Sequence, residues 1–210
     1  MNKTVMNKMN EYCRIMNDAM KDDILDLNKV LCKKDNNAFA HCQRVLVYCI
    51  QLGEELELSN EEIGTLAVAA FFHDIGKISI PDEILKKPEA LTDKEMEIMK
   101  THTRKGAVML RAAGGSVEAV KALACHHERY DGEGYPYGLQ GESIPLLSRI
   151  ISVVDAYDVM TSGRCYSAAI EKEEALRRLE EGKGSQFDPK IVESFMDIVD
   201  DPHIYLLEAV

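Results

Sequence analysis

Several large classes of protein are excluded by what this chain lacks. In its 210 residues no apolar run approaches the roughly 20 needed to cross a bilayer, and the polar start MNKTVMNKMNEY has no hydrophobic region of the signal-peptide kind. No membrane association and a cytoplasmic location are therefore expected. The six cysteines, Cys13, Cys32, Cys42, Cys49, Cys125 and Cys165, include no CxxC pair, so neither a zinc knuckle nor a disulfide framework is indicated. They read as small buried apolar residues. Positive charge is scarce: 25 Lys and Arg against 36 Asp and Glu give a net charge of -11, which argues against binding a nucleic-acid polymer. Sustained alternation of apolar and polar residues is missing, as are internal repeats and low-complexity tracts.

Apolar residues recur instead near a period of 3.6, so the chain reads as all-α: a single domain over residues 36–210 behind a helical lead-in, structural or dimerising, over residues 1–35. The spacing predicts a helix over about 37–55 that carries His41, Arg44, Val45, Tyr48 and Leu52 on one side. Ser59-Asn60-Glu61-Glu62 and Thr92-Asp93-Lys94-Glu95 are capping boxes. The first opens a helix that ends at His73-Asp74; the second opens one that carries His102. Gly114-Gly115 breaks the chain before a helix that delivers His126 and His127 at its C-terminal end. Asp131-Gly132-Glu133-Gly134-Tyr135-Pro136 is turn chemistry, with glycines that let the backbone swing back. A long helix from about Ile144 to Ser162 carries Asp155 and Asp158, and Asp188-Pro189 opens a last helix to about Val199.

Five of the six histidines fall into a pattern with carboxylates: His41, His73-Asp74, His102, His126-His127 and Asp155. Mixed His/Asp clusters suit divalent cations, whereas an acid among Ile150, Ile151, Val153 and Val154 is costly unless paired or metal-bound. His41, His73 and Asp155 are expected on one cation and His102, His126 and His127 on a second, with Asp74 bridging because a carboxylate has two oxygens. Two such cations activate a water and hold a phosphate ester, which makes phosphate-ester hydrolysis the expected chemistry. Lys77, and more loosely Arg104, Lys105 and Arg164, would supply positive charge to an anionic substrate; Cys125 could serve as an oxidation-sensitive neighbour of the metals. A lone histidine in an apolar helix is usually a core or surface residue, and only the constellation lifts His41 and His102 above that reading. His203 has no motif around it and reads as surface.

His73-Asp74-Ile75-Gly76-Lys77 followed by Asp131-Gly132-Glu133-Gly134-Tyr135-Pro136 resembles the HD-GYP family of the HD phosphohydrolase superfamily. The likeness runs over roughly residues 38 to 197, through Glu95, Gly106, Glu128, Ile144-Pro145, Tyr166 and Phe187-Asp188-Pro189. It implies an HD-domain helical bundle, a pair of iron or manganese ions, and hydrolysis of cyclic di-GMP to linear pGpG, with onward cleavage to GMP left open. It also implies that Lys77 touches the scissile phosphate, that Tyr135 faces the ligand, and that Arg164 meets a phosphate or guanine edge. A diguanylate cyclase or another signalling protein is the kind of partner the family suggests. Two positions depart from the pattern. Asn37 stands where some members have a third-metal glutamate, which favours two metals, and Ser167 stands where many have a second basic residue. The alternatives are a weakly active or inactive receptor for the dinucleotide, a mixed GMP-AMP ring as substrate, and another nucleotide altogether.

Overall fold

The computed structural model describes residues 29–31, 33–34, 38–162 and 169–199. Most of the lead-in, Asn37, the segment with Arg164 and Ser167, and His203 lie outside the described residues. Helices run α1 Ala38–Glu55, α2 Asn60–Phe72, α3 Asp82–Leu85, α4 Asp93–Ala112, α5 Val117–Ala124, α6 Leu146–Ser162, α7 Lys172–Glu181 and α8 Pro189–Ile198, with 3-10 turns at Ile75–Ser79 and Gly141–Ser143. No strand occurs among the described residues beyond an isolated bridge between Lys183 and Phe187.

The helix starts follow from side-chain caps. Ser59 accepts from the Glu62 amide while the Glu62 carboxylate accepts from the Ser59 amide at 2.9 Å, and Thr92 and Glu95 repeat the arrangement at the start of α4. Each pair satisfies two of the orphan donors of a helix N-terminus. Asp188 caps α8 through the Lys190 amide, with Pro189 in the first turn.

α2 is apolar on nearly all sides, and Leu66, Ala67, Ala69, Ala70 and Phe72 are fully buried. A helix of that kind belongs at the centre. α1 and α5 pack against it, α6 lies along α1 and α5, and α8 closes the far side against α1 and α6. Tyr48 of α1, Tyr157 of α6 and Phe195 of α8 meet edge to face, with ring centroids 5.0 to 5.8 Å apart. Cys42, Cys49 and Cys125 are buried.

α2 ends at Phe72 with His73 as its C-cap, where the sequence places the helix end, and the chain continues from Asp74 as a 3-10 turn that carries Lys77. The turn lies so close to α4 that a Cβ on Gly76 would sit 1.9 Å from the His102 carbonyl oxygen. Glycine at 76 thereby brings the His73-Asp74 end of α2 against the helix that carries His102.

Candidate metal centre

Five elements converge at one end of the core. His41 comes from α1, His73 and Asp74 from the end of α2, His102 from α4, His126 and His127 from the turn after α5, and Asp155 from α6. His41, His73, Asp74, His102, His126 and Asp155 are each less than a tenth exposed. Adjacent histidines on a regular helix diverge by about 100°, but α5 stops at Ala124, and beyond it the His126 and His127 rings lie 4.0 Å apart between centroids.

Two triads form, and within each the candidate ligand atoms lie within 4.8 Å of one another: His41, His73 and Asp155, and His102, His126 and His127. Asp74 stands between them. Its Oδ2 lies 3.5 Å from His73 Nε2 and 3.8 Å from His41 Nε2, while Oδ1 lies 3.6 Å from His102 Nε2. In the first triad, His41 Nε2 is 3.1 Å from His73 Nε2 and 3.2 Å from Asp155 Oδ1.

The rings are oriented by what their other nitrogen does. Nδ1 of His73, His102 and His126 faces the carbonyl oxygen three residues earlier, of Ala70, Met99 and Leu123, at 2.6 to 2.8 Å. A carbonyl only accepts, so Nδ1 carries the proton and Nε2 presents its lone pair inward. His41 Nδ1 donates to Asp158 Oδ2 at 2.7 Å. His102 Nε2 and His126 Nε2 are buried and have no hydrogen-bond partner among the described residues. An unsatisfied buried acceptor costs roughly 1–3 kcal/mol, and a divalent cation would satisfy both. The donor set of imidazoles and carboxylates therefore fits a metal.

Electrostatics agree with the geometry. Burial raises the pKa of Asp74, but Lys77, 2.5 Å from Oδ2, and His73 outweigh it and hold the carboxyl well below its ordinary range. Burial opposes ionisation of Asp155 too, and His41 and His73 reverse it. Burial lowers His41, yet Asp155 and Asp158 raise it to about 9. Burial pushes His102 down to about 4, burial with the neighbouring His102 pushes His127 to about 3, and burial with His127 takes His126 well below 6.5. The second triad is a nest of neutral imidazoles.

The Gly-Tyr-Pro loop folds back over this triad. The Tyr135 amide donates to the His127 carbonyl at 3.1 Å, and the Tyr135 ring lies 5.0 Å from that of His127. A Cβ on Gly134 would lie 2.2 Å from the Arg129 amide nitrogen, so only glycine passes there. The buried Glu128 carboxylate accepts from the amides of Tyr137 at 2.7 Å and Leu139 at 3.0 Å. Arg104 donates to the Pro136 carbonyl at 3.0 Å, and Lys105 to that of Ser79 at 3.3 Å, so both cations are engaged with backbone around the site.

Sequence reasoning gave no role to three residues that shape the centre. Glu128 entered only through the resemblance, although a carboxylate directly after two candidate ligands is itself a signal. Arg44 grips Asp158, and its position one turn past His41 could have pointed to it. Lys100, 5.6 Å from the Tyr135 ring centroid, carried no sequence signal.

A family profile described as HD domain matches residues 20–191. The chain is 42% identical over 165 residues to RpfG, the cyclic di-GMP phosphodiesterase response regulator of Xanthomonas campestris, in an alignment covering 78% of this chain and 44% of that protein. It is 38% identical over 190 residues to a cyclic di-GMP phosphodiesterase of Vibrio cholerae, with 83% of this chain and 39% of that one covered. The chain thus spans less than half the length of these curated relatives. In fold it is similar to a cyclic GMP-AMP phosphodiesterase structure from V. cholerae, with a TM-score of 0.66 at 24% identity over 86% of this chain and 51% of that one. No helix among the described residues is long and apolar enough to cross a membrane. With the HD profile matched over most of its length and both motifs in place, the chain belongs to the HD-GYP family of HD-domain proteins.

Proposed function

We propose that residues 36–210, behind the lead-in at 1–35, form a metal-dependent phosphodiesterase that opens cyclic di-GMP to linear pGpG. One observation carries the reading: two ligand triads flank a single carboxylate, Asp74, whose two oxygens face different triads. The names of the relatives supply the substrate class. Two divalent cations, iron or manganese, would be held by His41, His73 and Asp155 and by His102, His126 and His127, with Asp74 reaching both, and would supply Lewis acidity toward phosphate and an acidified water.

The chain's own groups do the rest. Asp74 fixes the separation of the two triads. Lys77, now paired with Asp74, is one 3-10 turn from it and places its ammonium against a non-bridging phosphate oxygen, offsetting charge as the phosphorus gains a fifth ligand. Tyr135, stacked beside His127, forms a wall for the sugar or base. Arg164 pairs with a second phosphate or a guanine edge. Water adds to phosphorus, the bond to the 3′ oxygen breaks, and that oxygen leaves with a proton.

The test is turnover of cyclic di-GMP and of the mixed GMP-AMP ring by the manganese- or iron-loaded chain under reducing conditions, followed by chromatography of products. Linear pGpG as the first product supports the reading. Tight binding of the ring without product would make the chain a receptor instead.

A further inference from the structure

Among the clustered histidines whose Nδ1 partner is described, His73, His102 and His126 lean on backbone carbonyls; His41 leans on a side chain. That side chain, Asp158, is 2% exposed and belongs to α6, which packs along α1. Arg44 grips it from α1 with a fork: Nε donates to Oδ1 at 2.6 Å and Nη2 to Oδ2 at 3.0 Å. Ser162 Oγ adds a longer contact to Oδ1 at 3.4 Å. A planar guanidinium bonded to both oxygens fixes the plane of the carboxylate, which a single-point contact would leave free to turn. The fixed carboxylate in turn fixes the His41 ring, whose Nε2 then reaches His73 and Asp155.

We propose that Arg44 is a positioning residue for one cation site alone: acting through Asp158, it sets the affinity of the His41, His73 and Asp155 site and leaves that of His102, His126 and His127 untouched. The inference rests on the two-cation reading above. Its physical basis is an asymmetry of support. In the second triad the described Nδ1 partners are carbonyls at the ends of helical turns, beyond the reach of any side-chain substitution. In the first, one of three ligands is aimed by a pair of side chains. Groups that orient a metal ligand in this way are typically worth roughly 10- to 100-fold in metal affinity.

The experiment is a titration of manganese into the chelator-stripped full chain, comparing the original sequence with Arg44→Met, Arg44→Lys, Asp158→Asn and His126→Ala. Two binding events are expected for the original chain. Arg44→Met and Asp158→Asn should keep one event unchanged and weaken the other by roughly 10- to 100-fold. Arg44→Lys, which retains the charge beside Asp158 without the fork, should recover part of the loss. His126→Ala should lose the event that the Arg44 variants keep. Melting of each metal-free variant reports folding, and Arg44→Lys carries the test if the methionine variant does not fold. Wild-type affinity at both events in Arg44→Lys and Asp158→Asn would overturn the proposal. So would an equal loss at both events with metal-free melting unchanged. A single event in the original chain would instead overturn the two-cation reading, and the proposal with it.

Discussion

Asp74 turns one oxygen toward each triad, and Lys77 sits against the oxygen on the His73 side. Their substitutions should therefore separate cleanly. Asp74→Ala removes the contact that both triads share and should abolish turnover together with much of the bound metal, read by elemental analysis and a product assay. Lys77→Ala should retain the metal while kcat falls on the order of 10²-fold, the usual loss for one group that stabilises developing charge. Full activity and full metal in Asp74→Ala would remove the residue from the centre. Arg164→Ala is expected to weaken dinucleotide binding by roughly 10- to 150-fold, the worth of a charge-assisted contact. Calorimetric titration into the metal-loaded variant checks it, and unchanged affinity with lowered melting would assign Arg164 a structural part.

The loop between α5 and α6 owes its path to two residues. Gly134 passes within 2.2 Å, by its absent Cβ, of the Arg129 amide, and Glu128 ties down the amides of Tyr137 and Leu139. Gly134→Ala should push Tyr135 away from His127 and raise KM for the dinucleotide without stripping the metal. Glu128→Gln keeps the shape but trades charge-assisted bonds for neutral ones, and should cost about 1–2 kcal/mol of loop order, seen as faster amide exchange at Tyr137 and Leu139. At this scale much was legible in the sequence. The capping boxes at Ser59 and Thr92, the glycine break at Gly114-Gly115 and the Asp188-Pro189 start each place a helix end locally, because caps act within a single turn. The 3-10 turn at Ile75–Ser79 was not legible: it depends on how near α4 comes to Gly76, a contact between residues 26 apart in the chain. Asp158, one turn beyond Asp155, is placed by the sequence to serve a histidine or Arg164, but that the histidine is His41, 117 residues away, and that Arg44 joins from 114 residues away is set only by how α1 packs on α6. Histidines and carboxylates were legible as a set because their chemistry is scarce in a core, whereas the residues that aim them look like ordinary charged positions.

The fold is built around a centre that stores unfavourable protonation states. His102 and His127 titrate near 4 and near 3 in the folded chain, chiefly through burial, against an ordinary 6.5. Between those values the unfolded chain binds more protons, so the metal-free fold should lose stability as pH falls from 6.5 toward 4. His41, raised to about 9 by its two carboxylate partners against the pull of burial, is protonated in both states below 6.5 and adds no slope there; its own contribution fades as pH rises toward 9. Asp74 and Asp155, held below the ordinary carboxylate range, contribute fully throughout this window. Melting of the chelated chain should therefore peak near neutral pH and drop clearly by pH 5; a melting temperature that rises on acidification would contradict these histidine environments.

The two-cation centre itself is tested most directly by anomalous diffraction from crystals grown with manganese or iron. Two peaks roughly 3.5–4 Å apart, the spacing of binuclear hydrolases, are expected on either side of Asp74, one ringed by His41, His73 and Asp155 and the other by His102, His126 and His127. A single peak, three well-occupied peaks, or His41 turned away from the metals would contradict the account.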